Sequence, residues 1–173
     1  MEEQDTKTLL EIMGKREITH ENICKAGTFL IQLSRKGLFI DWVKIWIEHQ
    51  DAAKGSEKLF YFYLVNEVLQ RHAEDNMNLL KAFADIIKQE LYKCMLQIND
   101  LHVRNEINNL VNIWREQGLF SPSFLDELDA EILKGMQENP AVANTEFGVS
   151  KKVKLFAVYF RNYQECKSRI DET

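Results

Sequence analysis

Apolar residues recur every three or four positions along almost the whole chain, and this spacing constrains the fold more than any other feature. Such spacing places apolar side chains on one face of successive α-helices. The 173 residues include only seven glycines and two prolines, too few for the many turns that a strand-rich fold requires. The sequence therefore predicts an all-α protein.

Short polar breaks divide this pattern into about eight predicted helices. Thr19 is a suitable N-cap for the second helix, and Ser121-Pro122 has the order of cap and proline that begins the seventh. The eighth is predicted over about 149–170. The helices are unevenly spaced, which excludes a regular repeat solenoid, and the chain length fits one domain over residues 1–173.

Charge and the length of the apolar runs argue against two classes of partner. The net charge is −5 and no cluster of Lys and Arg exceeds three residues, so direct binding to nucleic acid is not expected. The longest apolar runs, such as residues 59–65, are too short to span a bilayer, and the acidic start MEEQDTK is not a signal peptide. We expect a cytosolic or nuclear protein with no membrane partner.

Residues that perform chemistry are scattered. The three cysteines lie far apart, in a pattern typical of neither a disulfide framework nor a zinc site. The four histidines lie in separate segments, and the chain has no phosphate-binding loop, dinucleotide turn or nucleophile motif. We therefore expect no enzyme activity, no metal and no cofactor.

The predicted fourth helix is apolar around most of its circumference, which is typical of a helix in the middle of a fold. Four polar residues nevertheless fall on one narrow stripe, at positions i, i+3, i+4 and i+7: Tyr63, Asn66, Glu67 and Gln70. A polar stripe on a central helix is either satisfied by neighbouring helices or lines a groove. From the residues alone, both interpretations stay open.

If the stripe lines a groove, its chemistry fits a peptide. The Asn66 side chain would bond the peptide backbone through its donor and its acceptor, and Glu67 would accept the hydroxyl proton of a tyrosine. Tyr63 would form an apolar wall, and Arg71 beside the stripe would attract a phosphate. In a second segment, 105–120, the many Asn residues in place of better helix formers are a weaker indication of function, since solvation of a surface helix also explains them.

Two blocks of sequence carry a resemblance to a known family. The stretch Lys58–Gln70, KLFYFYLVNEVLQ, resembles the signature helix of the CTD-interacting domain, also called the RPR domain, whose usual form is close to K-L-x-x-L-Y-L-x-N-D-V-x-Q. The run Asn112–Trp114 followed by Gly118–Phe120 is similar to a later pattern of that family. The resemblance covers residues 18–133.

The resemblance implies a right-handed superhelix of about eight helices whose concave groove binds the carboxy-terminal tail of RNA polymerase II. That tail repeats Tyr-Ser-Pro-Thr-Ser-Pro-Ser, and the family binds it as a β-turn with the tyrosine hydroxyl bonded to an acidic side chain. This role falls on Glu67, with Asn66 beside it. The residues Thr19, His20 and Asn22 match a loop that also touches the peptide. A nuclear protein acting in transcription termination or co-transcriptional RNA processing is implied.

The chain departs from the family pattern in three places. Glu67 replaces the usual aspartate, and the segment after the signature helix, residues 72–75, is not basic. Gln117 and Asn109 correspond to arginines that bind phosphoserine in relatives, which removes contacts worth roughly 1.5–3 kcal/mol each. Arg115 and Arg71 are the candidates to replace them. We therefore do not assume that this chain binds phosphoserine.

Two other kinds of binding module are alternatives to the CTD-interacting domain. A membrane-traffic adaptor of the VHS or ENTH kind would have the same helical array, but its membrane forms need a basic face or an amphipathic first helix. The other alternative is a degenerate scaffold used for contact with another protein or for homodimerisation, through the apolar residues of the predicted helix within 150–169.

Overall fold

The described part of the chain is built from α-helices joined by short connections. The structure, a computed structural model, describes residues 1–72 and 77–140, and a short 3₁₀ helix at Gly55–Glu57 is the only other regular element within them. The seven α-helices are α1 (Glu3–Lys15), α2 (His20–Arg35), α3 (Phe39–Ala52), α4 (Lys58–His72), α5 (Met77–Gln97), α6 (Leu101–Glu116) and α7 (Pro122–Glu138). The predicted all-α fold class is confirmed.

Local signals in the sequence set the ends of these helices. The Thr19 hydroxyl accepts a hydrogen bond of 3.1 Å from a backbone N–H in the first turn of α2. Ser121 caps α7 in the same way, with Pro122 in the first helical position. Gly37 and Gly118 follow α2 and α6 with φ values of 79° and 64°, a left-handed conformation that glycine adopts without strain.

Helix α4 lies in the middle of the array, as the sequence indicates. Every residue from Lys58 to Gln70 is buried, and α4 packs against α2 on one side and α6 on the other. An all-round apolar helix is stable only when neighbours cover its whole circumference. This central position brings the polar stripe of α4 between two other helices.

Three buried tryptophans tie the helices together through hydrogen bonds as well as apolar contact. The Trp46 indole N–H donates to the Tyr61 carbonyl over 3.0 Å, and the Trp42 N–H donates to the Ser34 hydroxyl over 2.9 Å. The Trp114 N–H donates to a side chain of the α4 stripe. Buried indoles usually need such partners, because an unpaired N–H in the core is costly.

The remaining sequence-based expectations have mixed outcomes. The sequence predicts an irregular segment over 137–148, around Pro140. Helix α7 continues two residues into it, to Glu138, because its backbone hydrogen bonds continue to the cap at Asn139. The helix predicted over 149–170, and with it the homodimer surface, lies outside the described residues. None of the helices in the described part of the chain is both long and apolar enough to traverse a bilayer.

Candidate functional site

The polar stripe of α4 is buried between α2 and α6. The exposed fractions of Tyr63, Asn66 and Glu67 are 1% or less, and that of Gln70 is 7%. Around the helix, Asn66 and Gln70 turn towards α6, whereas Glu67 turns towards α2. The two flanks of the stripe therefore have different partners.

Asn66 is bonded within the fold on one side of its amide. Its Oδ1 accepts from the Trp114 indole N–H over 2.9 Å and from the Gln70 Nε2 over 3.4 Å. Its Nδ2 is buried and has no hydrogen-bond partner among the described residues. The acceptor Oδ1 is thus already used. Of the two ends of this amide that are predicted to bind a peptide, the structure leaves one. The donor is the end that remains.

Gln70 continues the stripe towards the end of α6. Its Nε2 donates to Oε1 of Gln117, the C-cap residue of α6, while its own Oε1 is buried without a partner among the described residues. An unmatched donor on Asn66 and an unmatched acceptor on Gln70 therefore lie one helical turn apart. Each such atom costs roughly 1–3 kcal/mol unless a partner supplies the missing bond. A peptide unit, with its own N–H and C=O, carries the complementary pair.

Glu67 occupies space that a glycine leaves open on α2. A Cβ added to Gly27 would lie 2.3 Å from the Glu67 Cγ, so only glycine permits this approach. Arg71, one turn later on α4, places Nη1 3.4 Å from Glu67 Oε1 and 2.8 Å from the Thr28 hydroxyl. The extra methylene that distinguishes Glu67 from aspartate is thus accommodated by the missing side chain at Gly27.

The predicted residues at the start of α2 make local contacts. Thr19 caps the helix, and the Asn22 side chain donates to the Glu17 carbonyl over 3.4 Å. The His20 ring nitrogens lie 3.6 and 3.8 Å from the Cys24 sulfur. All three predicted residues are half-buried. Further along α2, Gly27 contacts Glu67 of the stripe, and Cys24 and Thr28 are connected to it through Arg71.

The predicted residues of α6 separate into two groups. Gln117 joins the stripe through Gln70, and Asn109 is exposed. Arg115 instead turns towards α7, where it pairs with Asp126 over 3.1 Å and with Asp129 over 2.6 Å. The structure therefore does not bring Arg115 to the stripe, and the suggestion that it replaces the missing arginine is not supported by its position.

Sequence reasoning missed one acidic residue of α6. Glu106 has an exposed fraction of 7%, and its Oε2 is buried without a hydrogen-bond partner among the described residues. Burial raises the pKa of Glu106 to about 7. Burial, and secondarily the Glu106 charge, raises the pKa of Tyr63, which shows that the two side chains are near each other. The available signal was position: Glu106 is eleven residues before Gln117 and shares its side of the helix.

Metal binding has no support in the described residues. Within 1–72 and 77–140, no three His, Cys, Asp or Glu side chains are grouped as metal ligands would be. What the stripe offers is hydrogen bonding in a nearly dry setting, where each bond is stronger than in water.

Comparison with known proteins identifies the family to which the chain is similar. Residues 4–128 match the family model of the CID domain. Regulation of nuclear pre-mRNA domain-containing protein 1A of Homo sapiens is 27% identical over 86 residues, which are 50% of this chain and 27% of that protein. CID domain-containing protein 1 of Caenorhabditis elegans is 26% identical over 121 residues, 67% of this chain and 38% of the relative. The chain thus spans well under half the length of these relatives.

Proposed function

The chain belongs to the CID domain family, and from this membership we propose that it binds the carboxy-terminal repeat tail of RNA polymerase II. The CID domain is a protein-interaction module, so the proposed activity is recognition without catalysis. The observation that carries the proposal is the unmatched donor and acceptor on Asn66 and Gln70, set beside the Glu67 carboxylate on the central helix.

The peptide backbone is the natural partner of the unmatched pair. A carbonyl of the bound tail would accept from Asn66 Nδ2, and a backbone N–H would donate to Gln70 Oε1. Trp114 and Gln117 of α6 hold these two side chains through hydrogen bonds, which fixes their orientation before the peptide arrives. Such preorganisation lowers the entropy lost on binding.

The tyrosine of each repeat is the proposed partner of Glu67. Its hydroxyl would donate to the carboxylate, in a charge-assisted bond that is shorter and stronger than a neutral one. Arg71 lies beside Glu67 with 31% of its side chain exposed, and its contact to Glu67 is long at 3.4 Å. We expect the guanidinium to move aside as the tyrosine enters.

The surrounding charges favour the unmodified repeat over the phosphorylated one. The α6 side presents the neutral residues Asn109 and Gln117 and the unpaired acid Glu106, while Arg115 is neutralised by two aspartates on α7. Arg71 is a basic residue in contact with the stripe. A phosphate on the tail would therefore meet fewer cations here than the family pattern provides.

The proposed cellular role is based on the names of the relatives. Regulation of nuclear pre-mRNA appears in the names of several relatives, and this supports a nuclear role in transcription termination or co-transcriptional RNA processing. If no tail peptide binds, the alternative function is that of a scaffold or a homodimer without tail binding.

Fluorescence anisotropy with a labelled two-repeat peptide, unmodified and phosphorylated, tests the proposal. Glu67→Ala should weaken binding of the unmodified peptide at least about tenfold, which corresponds to ~1.4 kcal/mol. Glu67→Asp, which restores the family's usual residue, should retain most of the affinity. Glu48→Gln, an exposed acid on α3, is the control and should change nothing. Absence of binding to every peptide would refute the proposal.

A further inference from the structure

Glu106 lies on the side of α6 that faces the stripe of α4. Residues eleven apart are only about 20° apart around an α-helix, so Glu106 shares a flank with Gln117, which bonds to Gln70 on α4. Arg104 and Arg115 are also eleven apart and occupy the opposite flank, where they contact the chain around α5 and α7. The Glu106 charge also contributes to the raised pKa of Tyr63 on α4, which agrees with this position.

Neither Arg104 nor Arg115, the arginines of α6, forms an ion pair with the Glu106 carboxyl. Arg104 is buried and donates to the carbonyls of Ile98 and Met95, over 2.6 and 3.1 Å. Arg115 is held by two aspartates of α7. A nearly buried carboxyl oxygen without a partner is uncommon, because desolvation penalises it unless a bond replaces the lost water. The missing partner is therefore expected to come from a ligand.

We propose that Glu106 is a specificity-determining residue of the groove, which pairs with a lysine or arginine side chain of the bound peptide and disfavours a phosphate at the same place. The inference rests on the proposed function, since it assumes that a peptide occupies the groove. A cation is the partner that a buried carboxyl binds best, because the pairing stabilises the ionised form that burial alone opposes. A phosphate there would place two negative charges together in a poorly screened site.

The test is a peptide series in which lysine replaces each non-tyrosine position of one repeat in turn. A glutamine series controls for side-chain length, and phosphoserine peptides complete the set. We expect at least one lysine peptide to bind about tenfold more tightly than its glutamine counterpart. In Glu106→Gln this ratio should fall to within about twofold, and discrimination against phosphoserine should weaken.

Matched measurements separate the inference from the proposed function. Glu116→Gln, an exposed acid on the same helix, should leave the ratio unchanged. Thermal unfolding should show that Glu106→Gln is folded. Binding with no lysine preference, or with a preference that Glu106→Gln retains, would overturn the role of Glu106 alone. Loss of binding to all peptides in the wild-type protein would overturn the proposed function, and the inference with it.

Discussion

Individual buried polar atoms without a partner are concentrated where the groove is proposed. Five buried side chains in the described part of the chain have such an atom: Gln50, Asn66, Gln70, Glu90 and Glu106. Three of them belong to the facing sides of α4 and α6. Unsatisfied buried groups lower stability, so their concentration beside one another is more typical of a binding surface than of a core.

The ionisation of Glu106 gives a prediction at this scale. Its pKa in the folded protein is about 7, above its ordinary value of 4.5, so the folded state binds the proton more tightly than the unfolded state. The contribution of Glu106 to the free energy of unfolding is therefore greatest below pH ~4.5 and is lost as the pH rises to about 7. The loss is at most about 3.5 kcal/mol, from ~1.4 kcal/mol per pKa unit.

Urea unfolding at several pH values measures this effect. Glu106→Gln should gain stability relative to the wild-type protein between pH 5 and pH 8, because the amide does not titrate. Taking the difference between the two proteins removes the contributions of other acids, including Glu90, whose pKa burial also raises. If the free energy of unfolding depended on pH in the same way in both proteins, the prediction would be contradicted.

At the scale of the helices, the close approach of α2 and α4 positions the site. Gly27 on α2 permits it, and the Glu67 side chain fills the space. Because α4 is buried from Lys58 to Gln70, α2 cannot move outwards without exposing apolar surface on both helices. The position of the Glu67 carboxylate is therefore set by a residue forty positions earlier in the chain.

Gly27→Ala tests this arrangement. The added methyl would lie 2.3 Å from the Glu67 Cγ, so the two helices must separate or the carboxylate must move. We expect a loss of about 1–3 kcal/mol in the free energy of unfolding, together with weaker binding of the tail peptide. Gly14→Ala in α1, where no atom lies within 4 Å, is the matched control and should raise stability by about 0.4–1 kcal/mol. Equal effects of the two substitutions would refute the packing argument.

At the scale of the whole molecule, we expect stability and the proposed peptide recognition to depend on different helix pairs. Outside the proposed groove, α5 and α7 pack closely at Gly135, where an added Cβ would lie 2.5 Å from the Met95 Cβ and 3.0 Å from the Tyr92 carbonyl oxygen. Neither helix contributes a side chain to the stripe of α4. A defect at this contact should therefore affect folding without affecting the groove.

Gly135→Ala is expected to destabilise the protein by about 1–3 kcal/mol, because backbone and a core side chain must both shift. The dissociation constant for the tail peptide, measured well below the melting temperature, should stay within about twofold of the wild-type value. Differential scanning fluorimetry and anisotropy on the same preparation provide the two readings. A large loss of affinity would show that α5 and α7 are coupled to the groove.

Sequence by itself determined the helices and the family of this protein. Helical periodicity and caps such as Thr19 and Ser121 depend on near neighbours in the chain, so they can be read without a structure. The signature in residues 58–70 is also local. It correctly identified the buried central helix and the polar stripe that distinguishes it.

Only the tertiary structure decided which polar groups keep an unsatisfied bond. Asn66 meets Trp114 across 48 positions and Gln70 meets Gln117 across 47, so the partners of the stripe are invisible to local patterns. The sequence predicts Arg115 as a site residue, but its guanidinium pairs with α7, and no local pattern distinguishes the buried Glu106 from a solvated acid. Burial and charge pairing depend on the contacts of distant helices, and for this reason the electrostatic character of the groove could not be predicted from the chain alone.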